Sequence, residues 1–232
     1  MGTGEIQNFI YDHSTLRGLK LCNRVMRCGK ALCYWCSRRR ATDARQLLAP
    51  LAHSAESVGV LRLSLPTSYD LESSWLAVND TYQAFTSGRF LHSRVSAWWT
   101  QREVTVTTWG AWNLHVSILL FDSDPARLDK LIQEASTHWV AAARSAGYEA
   151  HRSAQSAELW SNPRKAIAYN VKGVMHQKQN RARGDGHSPG DLLALYMTGD
   201  ADASEHWHEL EDLVSSGRRV WHSKGGALRK AK

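Results

Sequence analysis

Trp112-Asn-Leu-His-Val-Ser-Ile-Leu-Leu-Phe121 is the stretch whose reading decides the fold. Leu114, Val116, Ile118 and Leu120 recur at every second position, the period of a strand with one face against a core. The same parity sends Asn113, His115 and Ser117 to the opposite face. The stretch before it, Val95 to Thr108, alternates in phase: Val104 and Val106 go inward, while Glu103, Thr105 and Thr107 join the polar face. Trp109-Gly110-Ala111 between them is a short glycine-containing connection suited to a β-hairpin. A turn centred on Gly110 sets Thr105 opposite His115 and Glu103 opposite Ser117.

Working outward, Val58 to Leu65 alternates as a strand and Pro66 ends it. Tyr69 to Thr86 has helical periodicity, with Leu71, Trp75, Val78, Tyr82 and Phe85 three and four residues apart. Asp124-Pro125 opens a helix reaching about Ala146, with Gly147 as its cap; a short strand around Tyr148 to Arg152 and a helix from Pro163 to Gln177 follow. The order strand, helix, strand, strand, helix, strand predicts an α+β chain with a ferredoxin-like antiparallel sheet (split βαβ), helices on one face and the other face uncovered. A basic helix Ala41 to His53 precedes this region. A mobile loop Gln179 to Gly190 and C-terminal helices over Gly190 to Met197 and Ala203 to Ser216 follow it. The expected segments are thus 1–56, 57–178 and 179–232.

The 232 residues are 43% hydrophobic and 22% charged, an ordinary globular composition that excludes wholesale disorder. Met1 to Asn8 lacks a signal-like pattern and no run approaches the ~20 apolar residues of a membrane span, so a cytoplasmic protein with no membrane partner is expected. A net charge of +7 favours polyanions, nucleic acid first. The basic residues cluster at Arg38, Arg39 and Arg40, at Lys178, Arg181 and Arg183, and at the C-terminus. All four cysteines, Cys22, Cys28, Cys33 and Cys36, lie close together. Cys33-Tyr-Trp-Cys36 has the spacing that lets two thiolates grip one tetrahedral ion, and Cys22 with Cys28 completes a structural Zn2+ site; a redox pair or four reduced core cysteines are the alternatives. Arg38 to Arg40, just past the last cysteine, would then be held towards DNA.

Two constellations carry chemistry. Glu103, His115 and Ser117 on one sheet face offer a divalent-cation site, against the plainer reading of a solvated cross-strand pair. Tyr169 and Lys172, three apart on the last expected helix, offer a nucleophile beside a cation, against a packed ring beside a solvated ammonium. The tryptophans Trp98, Trp99, Trp109 and Trp112 either pack or stack on unpaired bases. An RNA-binding module ranks lower, because the polar face shows no aromatic residues.

Taken in order, Cys28-Gly-Lys-Ala-Leu-Cys33-Tyr-Trp-Cys36, Val60-Leu-Arg-Leu-Ser-Leu-Pro66, Glu103-Val-Thr105, Trp112 to Phe121, Ala168-Tyr169-Asn-Val-Lys172-Gly and the tail from Ser188-Pro189 to Ser223 resemble the plasmid rolling-circle replication initiators. These are single-strand nicking enzymes with a His-hydrophobe-His metal motif. The resemblance implies a Rep- or relaxase-like sheet and a chain that binds origin DNA, as single strand or hairpin, with host replication proteins as partners. It implies that Tyr169 attacks a phosphodiester while Mg2+ or Mn2+ polarises it, leaving a 5′-phosphotyrosyl link and a 3′-OH primer. Lys172 would position the phosphate; His115, Glu103, Ser117 and Asn113 are the candidate metal ligands. The sequence departs from the family pattern where His115-Val116-Ser117 puts serine in the place of the second histidine, which removes a nitrogen donor and weakens the site. The alternative is a non-catalytic DNA-binding relative with a degraded metal motif.

Overall fold

The structure is a computed structural model describing residues 30–87, 89–175, 186–216 and 221–229. The chain divides into two compact units, Met1–Asp43 with Lys172–Arg219, and Ala44–Val171 with Val220–Lys232. The architecture is α+β, with seven α-helices and one open five-stranded sheet among the described residues. No described helix is long and apolar enough to cross a membrane.

The second unit holds the sheet. Strands β1 (Val58–Ser64), β2 (Ala97–Val106), β3 (Trp112–Phe121), β4 (Ser156–Trp160) and β5 (His222–Gly226) run in the order β4-β1-β3-β2-β5, every neighbouring pair antiparallel. Helix α1 (Tyr34–Ser54) precedes β1, and α2 (Leu71–Ser87) and the short α3 (Arg89–His92) follow it. Helix α4 (Pro125–Ser145) follows β3 and α5 (Pro163–Asn170) follows β4. Asp124 caps α4 by accepting from the backbone N–H groups of Ala126 and Arg127, and Gly147, at φ 87°, ends it.

Helices α2 and α4 bury Leu71, Trp75, Val78, Phe85, Leu128, Leu131 and Trp139 on one sheet face, that of Leu61, Leu63, Leu114, Val116, Ile118 and Leu120. The Trp139 indole donates to the Ser64 carbonyl at 2.9 Å, so the largest ring in α4 is anchored as well as packed. Arg102 on this face is 5% exposed, with its guanidinium over the Tyr82 ring at 4.7 Å and its Nε donating to Asn79 at 2.6 Å.

The expected bare face is half covered. Leu119, Phe121, Trp99, Val58 and Val60 share parity with His115, and they pack under Leu48 and Ala52 of α1 and Ala166 and Ile167 of α5. Phe121 is 2% and Leu119 1% exposed, so apolar residues at both parities required a cover on each side. Beside that cover the face stays partly open, at Glu103, Thr105, Asn113 and His115 of the hairpin half and at Arg62 and Glu158.

Two elements also depart from expectation. The fourth strand is Ser156–Trp160 rather than Tyr148 to Arg152. Tyr148 instead closes α4, its N–H donating to the Ala143 carbonyl and its hydroxyl to Asp80. Helix α5 stops at Asn170, well short of Gln177. The Val171 carbonyl accepts from Arg45 at 2.8 Å, whereas the N–H that would continue the helix, that of Met175, donates to the Ser37 hydroxyl at 3.0 Å.

In the first unit, α6 (Pro189–Met197) opens on a capping box between Ser188 and Asp191, and α7 (Ala201–Ser215) opens on Asp200. Tyr196 stacks on Trp207 with ring centroids 6.4 Å apart.

Candidate functional site

The β2–β3 connection runs from Thr107 to Ala111 and is centred on Trp109, not Gly110. It is closed by Thr107 N–H to the Ala111 carbonyl at 2.8 Å and by Ala111 N–H to the Thr107 hydroxyl at 3.0 Å. Every cross-strand partner therefore slides by two residues: Glu103 faces His115, Thr105 faces Asn113 and Gln101 faces Ser117. A slip of two keeps the parity and changes the neighbours. It brings Glu103 and His115 together as a direct cross-strand pair, Nε2 to Oε2 3.3 Å, with side chains 23% and 22% exposed. Ser117, 1% exposed, donates its hydroxyl to the other Glu103 oxygen at 2.8 Å. One carboxylate thus holds both neighbours.

Among the described residues no three His, Cys, Asp or Glu side chains gather as a metal group. The donor set present is one imidazole, one carboxylate and one hydroxyl. The 3.3 Å between His115 and Glu103 is close to the spacing, roughly 3 Å, that adjacent ligands keep around one octahedral ion bound at ~2.1 Å. These are mostly oxygen donors, the kind that hard divalent cations such as Mg2+ or Mn2+ take.

Tyr169 lies on the last turn of α5, 53% exposed. Its ring packs on Trp160 of β4 at 5.7 Å, and the Arg62 guanidinium of β1 lies over it at 5.5 Å. Arg62 faces Ser117 across one strand boundary and Ser156 across the other, so it occupies the row beside the His–Glu pair. Its Nη2 donates to the Asn170 side-chain oxygen at 3.3 Å and its Nη1 lies 3.5 Å from Glu158. The Trp160 indole N–H, the Ser156 hydroxyl and then Arg62 hold the Glu158 carboxyl below the ordinary carboxylate range, against the opposing effect of partial burial. Arg62 stands in the Val60-to-Pro66 stretch of the resemblance, where nothing singled it out as a site residue.

The other expected residues are placed as follows. Lys172 lies beyond the end of α5, so it does not share a helix face with Tyr169. Arg38, Arg39 and Arg40 lie within α1, which starts at Tyr34 rather than Ala41. Arg38 stacks on Tyr34, Arg39 pairs with Asp43 at 2.8 Å, and Arg40 donates to the Lys30 carbonyl. Cys33 is half-buried just before α1 and Cys36 is buried in its first turn. Cys22, Cys28, Lys178, Arg181 and Arg183 lie outside the described residues. Of the four tryptophans near the hairpin, Trp98, Trp99 and Trp112 are core, at 1%, 3% and 1% exposed, and Trp109 stands out at 63%.

No protein-family model, no curated protein and no solved structure matches the chain.

Proposed function

We propose that this chain is a rolling-circle replication initiator that binds its plasmid origin and cuts one strand through Tyr169. The observation carrying the reading is a half-exposed tyrosine whose ring sits 5.5 Å from an arginine in the row next to a His–Glu pair. A phenol becomes a competent nucleophile towards a phosphodiester when nearby cations neutralise the phosphate. The strand order β4-β1-β3-β2 and the element order from β1 to β4 support the ferredoxin-like, Rep-like form of the fold.

In this reading the Tyr169 oxygen bonds to phosphorus, the bond to the 3′ oxygen breaks, and the phenolic proton ends on the released 3′-OH. Glu103, His115 and Ser117, with Asn113 alongside, would hold Mg2+ or Mn2+, which would polarise the phosphate. Lys172 would position the strand, and Zn2+ on the four cysteines would order the N-terminal segment, measurable as metal content per chain. The place of action is the cytoplasm, with host replication proteins extending the primer.

The test uses labelled single strands and hairpins tiled across the DNA flanking the coding sequence, incubated with the chain and Mn2+. A denaturation-resistant protein–DNA adduct is expected, absent in Tyr169→Phe while strand binding persists. Binding without an adduct at any metal concentration would leave the second reading, a non-catalytic DNA-binding relative. Ser117 is the observation that favours this alternative, because it sits buried on Glu103 where a second metal-binding histidine would be needed.

A further inference from the structure

We infer that Arg62 is the residue that receives the scissile phosphate beside Tyr169, supplying from a fixed guanidinium the positive charge that serine at position 117 denies the metal pair. The inference rests on the nicking reading and assigns it a residue outside the metal and tyrosine motifs.

The guanidinium is held on three sides. Asn170 accepts from it at 3.3 Å and is itself locked, 2% exposed, with its amide donating to the Ala166 carbonyl at 2.8 Å. Glu158 stands 3.5 Å away on the β4 side, and the Tyr169 ring covers the group at 5.5 Å. One hydrogen bond and one longer ion-pair contact leave N–H donors of the five-donor fork to spare, and the side chain is 30% exposed. A planar fork that is held in place and still reachable suits a phosphodiester, whose two non-bridging oxygens it can engage side by side.

Arg102 on the opposite face is a contrast within the same sheet. It is 5% exposed, and burial lowers its affinity for the proton, so it acts as a packing element. Arg62 has the same kind of ring and amide partners but remains open to solvent beside a half-exposed phenol. Position matters as much as exposure. Arg62 faces Ser117, and a cation there lies in the row adjoining His115 and Glu103, next to the residue that replaces a metal ligand. A phosphate drawn to Arg62 is set beside the Tyr169 ring. When Tyr169 forms its bond to phosphorus and the 3′ oxygen departs with the phenolic proton, the guanidinium stays in place and counters the negative charge that builds on the non-bridging oxygens.

The test takes the full chain and the strand of the tiled set that it binds most tightly, and compares wild type with Arg62→Met, Arg62→Gln and Arg62→Lys. Single-turnover adduct formation at saturating strand should slow by about 100-fold in Arg62→Met, the effect of removing one pre-aligned charge donor, and less in Arg62→Lys. The Mn2+ concentration at half-maximal rate should be unchanged in all three. A second arm needs no cleavage: single methylphosphonate groups are scanned along the bound strand. Wild type should lose about tenfold in affinity at one position, where Arg62→Met loses nothing further. Adduct formation within about threefold of wild type in a folded Arg62→Met, with no Arg62-dependent position in the scan, overturns the inference. An Arg62-dependent position with no adduct in wild type would refute the nicking reading and leave the phosphate contact standing.

Discussion

Asp122, the residue after β3, ties the end of that strand to Ser96 and to the start of α4. It accepts from the Ser96 N–H and hydroxyl at 2.9 and 3.1 Å, from the Asp124 N–H at 2.9 Å, and from Arg127. Burial alone would raise its proton affinity; Arg127, Asp124 and Ser96 together reverse this and hold the carboxyl below its ordinary 3.8. A carboxylate depressed on folding contributes stability that is fully present above the unfolded value, and that contribution is lost as pH falls through the lower folded value. Asp122→Asn should therefore lose stability near neutral pH and show a shallower decline of urea midpoint from pH 5 to pH 3; parallel declines would show that the carboxylate is not the group responsible. At this scale the sequence was informative for residues whose role follows from parity. His115, Ser117 and Glu103 share a face because a strand alternates, and they do meet. The setting of Arg62 was not legible, since it comes from a register and from the Tyr169 ring of α5 beside it, and neither is a local property.

At the scale of elements, the long amphipathic pieces and the two C-terminal helices were legible, whereas the hairpin turn and the edge strands β4 and β5 were not. Helices α2 and α4 and strand β3 carry enough apolar repeats to fix their type and face, and β3 was bounded correctly at both ends. The turn centre was misjudged by one residue, and the pairing therefore by two, because Gly110 draws attention as the φ-permissive position, at φ 84°, whereas the five-residue connection is centred on Trp109. Strand β5 reads as His222-Ser-Lys-Gly-Gly226, with no alternation to detect. It pairs with β2 because Gly225 lies opposite Trp98, where an added Cβ would come 2.0 Å from the indole. Gly225→Ala should thus cost about 1–3 kcal/mol, as forced overpacking does, read as a lower urea midpoint with an unchanged slope. A variant as stable as wild type would mean that the β5 pairing yields without cost, and the strand would then be no part of the cooperative core.

For the whole molecule, the proposed strand binding would draw separably on the net charge of +7 and on one exposed tryptophan. Charge acts through released counterions, so each phosphate neutralised on a single strand adds about 0.7 to the slope of log affinity against log salt. Stacking acts through contact of ring and base and carries little salt dependence. Arg38 and Arg39 are exposed on α1, with Arg40 half-buried beside them, and Trp109 is 63% exposed on a hydrogen-bonded turn at the open half of the sheet face. Replacing Arg38, Arg39 and Arg40 together by Ala should lower that slope by about 2. Trp109→Ala should weaken single-strand binding by about 1–3 kcal/mol at every salt concentration and leave the slope unchanged. Affinities measured by anisotropy from low to moderate salt separate the two: an unaltered slope in the triple variant removes the α1 arginines from the interface, and a full-affinity Trp109→Ala removes the indole. Because one change alters a slope and the other an intercept, a single set of salt titrations decides both without requiring that the chain cut DNA.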